Sequence, residues 1–74
     1  MDYSQMIVSD PEVRFGKPRI AGTRITVQDV LEYLGGGMTF EQILEDFPEL
    51  NREHIQACLA FAANRERRLI ARGL

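Results

Sequence analysis

Three helix-start signals at Thr26, Thr39 and Asn51 commit most of this chain to helices. Each is a residue whose side-chain oxygen can accept an otherwise unpaired N–H of the first turn, and each is bracketed by an apolar pair. Thr26 has Asp29 three residues on, and Ile25 with Val30 staples the cap; a helix over residues 27 to 34 follows, stopped at Gly35-Gly36-Gly37. Thr39 has Gln42 at the same spacing and a Met38 to Ile43 staple, predicting a short helix over residues 40 to 46 that ends at Phe47-Pro48. Asn51, with a Leu50 to Ile55 staple, predicts one long helix over residues 52 to about 72, with Gly73 as its stop.

Apolar spacing agrees with these boundaries. Val27, Val30, Leu31 and Leu34 share one face of the first helix; Ile55, Cys58, Leu59 and Ala62 repeat the stripe on the third; Phe40, Ile43, Leu44 and Phe47 supply the second. The Phe47-Pro48-Glu49-Leu50 link has the length of a helix-turn-helix. Residues 6 to 25 read differently, since Pro11, Gly16, Pro18 and Gly22 punctuate short extended pieces at Met6-Ile7-Val8, Val13-Arg14-Phe15 and Arg19-Ile20. The expected fold is mainly α: a three-helix, helix-turn-helix bundle over residues 26 to 74 behind a short β-arm over residues 1 to 25, forming one compact domain.

A chain of 74 residues has a modest core and usually gains stability from disulfides, metals or a second copy. Cys58 is the sole cysteine and reads as a small buried apolar residue, so a homodimer is expected. The arm is the expected contact, because Val13, Phe15, Ile20 and Ile25 belong to strands too short to stand alone and the three-helix core is too small to cover them all. Residues 1 to 5 carry no leader-like progression, and no apolar run is long enough to span a bilayer; a cytoplasmic protein is expected.

The formal charge of −2 conceals a segregated pattern. Residues 11 to 28 hold Arg14, Lys17, Arg19 and Arg24 against Glu12, whereas residues 29 to 53 hold seven acids against Arg52. Residues 54 to 74 turn basic again with Arg65, Arg67, Arg68 and Arg72. Two basic zones flank an acidic middle.

Catalytic groups are scarce. His54, the one histidine, falls in the first turn of the third helix and reads as a surface or half-buried residue rather than a general base. Glu41, Glu45, Asp46 and Glu49 lack the loop spacing of a cation site and read as a solvated face. The glycines at 35 to 37 and the Gly16-Lys17-Pro18 turn lack the remainder of a phosphate-binding loop. These readings favour a protein that binds macromolecules, with no catalytic residue, metal, cofactor, small-molecule substrate or membrane assigned. As a helix-turn-helix it would read DNA with Asn51, Arg52 and Gln56 at the start of the third helix. The acidic middle opposes this, because phosphate contacts supply much of the affinity for DNA, so Arg14, Lys17, Arg19 and Arg24 on the arm would matter as much.

Pro18-Arg19-Ile20-Ala21-Gly22-Thr23-Arg24-Ile25-Thr26-Val27, followed by Leu31, Leu34, Gly37, Glu41, Gln42-Ile43-Leu44, Phe47-Pro48 and Leu50, resembles the bacterial domain-of-unknown-function family 433 over residues 7 to about 63. The resemblance implies a homeodomain-like three-helix domain behind a small β-arm, and the role of an antitoxin paired with a PIN-like ribonuclease toxin. It also implies that Gly22, Thr23, Arg24 and Ile25 shape the arm. The expected function is therefore an antitoxin-type regulator that neutralises such a toxin and represses its own operon through operator DNA. Arg65, Arg68 and Arg72, three and four residues apart on one helix face, are the expected toxin contact, since planar guanidinium groups suit the carboxylates of a metal nuclease. The alternative is a dimeric helix-turn-helix interaction module without DNA affinity; an enzyme ranks behind both.

Overall fold

The computed structural model describes residues 3–73, with side chains described through residue 68. Two short strands, β1 (Ile7–Val8) and β2 (Arg19–Ile20), precede three helices, α1 (Val27–Gly35), α2 (Phe40–Asp46) and α3 (Arg52–Gly73). The strands pair antiparallel with Ile7 opposite Ile20 and Val8 opposite Arg19. The chain is thus mainly helical, with a two-stranded N-terminal sheet.

Each expected helix start is present, with its reciprocal cap. The Asp29 N–H donates to Thr26 Oγ1 at 2.9 Å, and the Thr26 N–H donates to Asp29 Oδ2 at 3.1 Å. At α2 the Gln42 N–H donates to Thr39 Oγ1 at 3.1 Å, while the Thr39 N–H donates to Gln42 Oε1 at 2.9 Å. At α3 the His54 N–H donates to Asn51 Oδ1 at 3.1 Å, and the Asn51 N–H donates to His54 Nδ1 at 3.0 Å. His54 therefore fills the position that Glu or Gln takes in a capping box. Helix α1 extends one residue beyond expectation, to Gly35, and ends in a Schellman arrangement: Gly37 adopts φ +100°, its N–H donates to Leu34, and the Met38 N–H donates to Tyr33. Only glycine takes that φ without cost, which is why the third of the three glycines is the one that turns the chain. Helix α3 includes Gly73, so the expected stop is not seen within the described residues.

Ile20, Val30, Ile43, Ile55 and Cys58 are fully buried together, drawing one strand and all three helices into a single core with Ile25, Val27 and Leu50. Thr26 is buried as well, and its capping bonds satisfy its hydroxyl. Burial of Cys58 pushes its thiol up to about 11, as expected of a packing residue rather than a nucleophile.

Three expectations need correction. Ile20 and Ile25 of the arm are covered within the single chain, so β2 is part of the core and not an extension awaiting a partner. Leu59, placed on the buried stripe of α3, is exposed, whereas Ala57 is fully buried. The cause is tertiary: β1 packs on α3, and Tyr3 meets Phe61, one turn after Ala57 on the same helix face, edge-on at 5.8 Å. Finally, of Val13-Arg14-Phe15 only Val13 is extended, with φ −119° and ψ 120°. Arg14, Phe15 and Gly16 have φ of 50°, 60° and 77°, a left-handed turn closed by the Gly16 N–H to Val13 and the Lys17 N–H to Arg14.

Candidate interaction surface

Left-handed φ at two consecutive non-glycine residues is unfavourable and persists only where surroundings enforce it. Here Arg14 is the enforcing residue. Its Nη1 donates to the Arg24 carbonyl at 2.8 Å and to Asp29 Oδ2 at 3.1 Å, tying the turn to both the β2–α1 link and the first turn of α1. Burial of Asp29 opposes its ionisation, but hydrogen bonds with Thr26 and Arg14, together with the charge of Arg14, outweigh it and hold the carboxyl below its ordinary range. The product of this lock is Phe15, whose side chain is left 94% exposed. It is one of the arm side chains expected to need a surface beyond the three-helix core, and the single chain gives it none.

Just beyond this turn lies a groove of about 470 Å³ between the arm, α1 and α3. Pro18, Val27, Leu31, Phe61 and Ala62 give it apolar walls, Gln28 adds a polar one, and Lys17 and Arg65 against Glu66 leave it net positive. Arg65 also stands over the Phe61 ring, 5.8 Å from its centroid. Sequence reasoning missed this groove because its walls come from three elements; the one local sign was the apolar Phe61 lying off the stripe that ends at Ala62.

The expected DNA-contacting residues do not form one set. Lys17 and Arg24 are exposed on the arm, whereas Arg14 is engaged with Asp29. Arg19 is half-buried, with its Nη1 donating to the Thr23 carbonyl at 3.4 Å and its Nε buried without a partner. On α3, Asn51 is occupied as a cap, and Arg52 pairs with Glu41 at 3.2 Å while lying 4.9 Å from the Phe40 ring centroid. Gln56 is exposed. Of the expected toxin-contacting residues, Arg65 and Arg68 are exposed, as is Arg67; the side chain of Arg72 lies outside the described residues. Among the described residues the ion pairs engage Arg14 and Arg52, not these three. No group of three His, Cys, Asp or Glu among the described residues is arranged to hold a metal ion, and no described helix is long and apolar enough to cross a membrane.

Comparison with known proteins places these features in a family. The chain is 33% identical over 58 residues to the uncharacterized protein y4eO of Sinorhizobium fredii, covering 78% of this chain and 26% of that protein. It therefore spans about a quarter of that relative's length. Its fold is similar to the crystal structure of a DUF433 member from Anabaena variabilis, with a TM-score of 0.81, 25% identity, and coverage of 93% of this chain and 68% of that one. Residues 7–62 match the family described as Protein of unknown function (DUF433), so the chain belongs to that family.

Proposed function

We propose that this chain is an antitoxin-type regulator that acts as a dimer and binds a PIN-like ribonuclease toxin through the exposed arginines of α3. The observation that carries the reading is the run of α3 past Cys58, its last fully buried residue among those described, and past Phe61, which packs on the core, to Gly73, bearing Arg65, Arg67 and Arg68 exposed and outside any ion pair found among the described residues. Guanidinium groups on such an extension suit a carboxylate-lined nuclease site, where each can donate two parallel hydrogen bonds to a carboxylate and remains charged at any physiological pH. In this reading the three helices act as a homeodomain-like helix-turn-helix, and operator DNA is met by Lys17 and Arg24 on the arm together with Gln56 on α3.

A second reading, a dimeric interaction module without DNA affinity, is favoured by the engagement of Asn51 in the α3 cap and of Arg52 with Glu41. Co-expression of the chain with the product of the adjacent reading frame tests the main proposal. Co-purification and suppression of that product's ribonuclease activity are expected; a neighbour that is neither bound nor inhibited would overturn it. Mobility-shift measurement on the operon's upstream DNA separates the two readings.

A further inference from the structure

Phe15 and the groove beside it form a knob and a hole on one molecule, and we infer that two copies of this chain dimerise by inserting each Phe15 into the other's groove. The inference rests on the dimer of the proposed function and names its contact.

Phe15 is 94% exposed on a turn whose left-handed backbone is enforced by Arg14. The chain therefore holds an unfavourable conformation to keep this ring in solvent, an arrangement that gains nothing for the isolated molecule. The groove, at about 470 Å³, is large enough for an aromatic ring and has the apolar walls such a ring requires, including Leu31 and Phe61. Knob and hole are neighbours: Lys17 lines the groove only two residues after Phe15, a span of at most roughly 7 Å of chain. A ring this close to its own groove, yet outside it, suits a two-fold pairing, because one rotation then delivers both rings to both grooves and closes the assembly.

Charge selects the same occupant. Asp10 and Glu12 stand five and three residues before Phe15 on the arm, Arg14 beside the ring is already paired with Asp29, and at the groove Lys17 and Arg65 outnumber Glu66. Docking the Phe15 segment of one copy on the groove of another brings Asp10 and Glu12 to a lining of net positive charge, whereas an acid-poor partner would leave that charge unmatched.

The test is sedimentation equilibrium on the full chain, with three variants. Phe15→Gly removes the ring and suits the left-handed φ, so it should weaken dimerisation roughly 100-fold or more, two apolar anchors being lost at roughly tenfold or more each. Measured on dilute monomer, the same variant should raise the Tm, because the backbone constraint is relieved. Ala62→Phe fills the groove and should also give monomers, and Lys17→Glu should weaken the dimer with a reduced salt dependence. An equimolar mixture of Phe15→Gly and Ala62→Phe should associate more strongly than either alone, since one intact groove then meets one intact ring. A dimer unaffected by Phe15→Gly, or a mixture no tighter than its components, overturns this contact while leaving the dimer standing. A natural chain that stays monomeric at about 100 µM, a concentration at which even weak self-association registers, overturns both.

Discussion

Arg14 and Asp29, fifteen residues apart, meet at 3.1 Å and join the left-handed turn of the arm to the first turn of α1. The same carboxylate caps the helix by accepting from the Thr26 N–H, so one side chain holds a helix start and a strained turn at once. Loss of its charge should be felt at both places.

Stability should therefore fall in acid in a way that Asp29 governs. Its carboxyl is held below the ordinary carboxylate range, so its contribution is present in full above that range and is lost as pH falls through the lowered folded value. Asp29→Asn keeps an acceptor for Thr26 and loses the ion pair. Thermal unfolding followed from neutral pH to about pH 2 should show the natural chain more stable above pH ~4 and the two converging below it. Parallel curves would assign the acid sensitivity elsewhere.

At α3, His54 should be replaceable by glutamine but not by alanine. Glutamine can accept the Asn51 N–H as His54 Nδ1 does, whereas His54→Ala leaves that donor to solvent. The alanine variant should lose roughly 0.5–1 kcal/mol, and Asn51→Ala about 1 kcal/mol or more, as for other caps. For a domain of this size each kcal/mol corresponds to roughly 4–8 °C in Tm, within the reach of a calorimeter. An unchanged Tm in His54→Ala would show that the reciprocal bond contributes nothing.

If operator DNA is bound, the arm cations divide by availability. Lys17→Ala and Arg24→Ala should each lower the dependence of log K on log salt by roughly one unit per phosphate contact in each subunit. Arg14→Ala should leave that slope unchanged, because its guanidinium already serves Arg24 and Asp29. Equal effects from all three would mean that Arg14 leaves its ion pair on binding.

Charge reversal on α3 tests the toxin contact without touching the core. The combined Arg67→Glu and Arg68→Glu variant should abolish neutralisation of the toxin while the Tm stays within about 2 °C, since substitutions of exposed side chains change stability little. Truncation after Asn64 should give the same separation of function from folding. Neutralisation that survives both changes would move the contact to the groove or the arm.

Much of this molecule was legible because its helix boundaries are set by neighbours in the chain. Thr26, Thr39 and Asn51 each bond a residue three positions away, so the start of every helix is decided by a local group of four residues. The Leu50 to Ile55 staple and the glycines after α1 are equally local. By contrast, the left-handed turn at Arg14 and Phe15 depends on Asp29 and Arg24, the exposure of Leu59 depends on which side of α3 the N-terminal segment covers, and the groove depends on three elements meeting. No periodicity or turn signal encodes these, because the stabilising partner lies ten or more residues away and is brought near only by packing. Sequence alone determined where helices begin and which family the chain resembles; the tertiary structure decided which arginines are already engaged and that, of the apolar arm residues, Ile20 and Ile25 enter the core while Phe15 faces solvent.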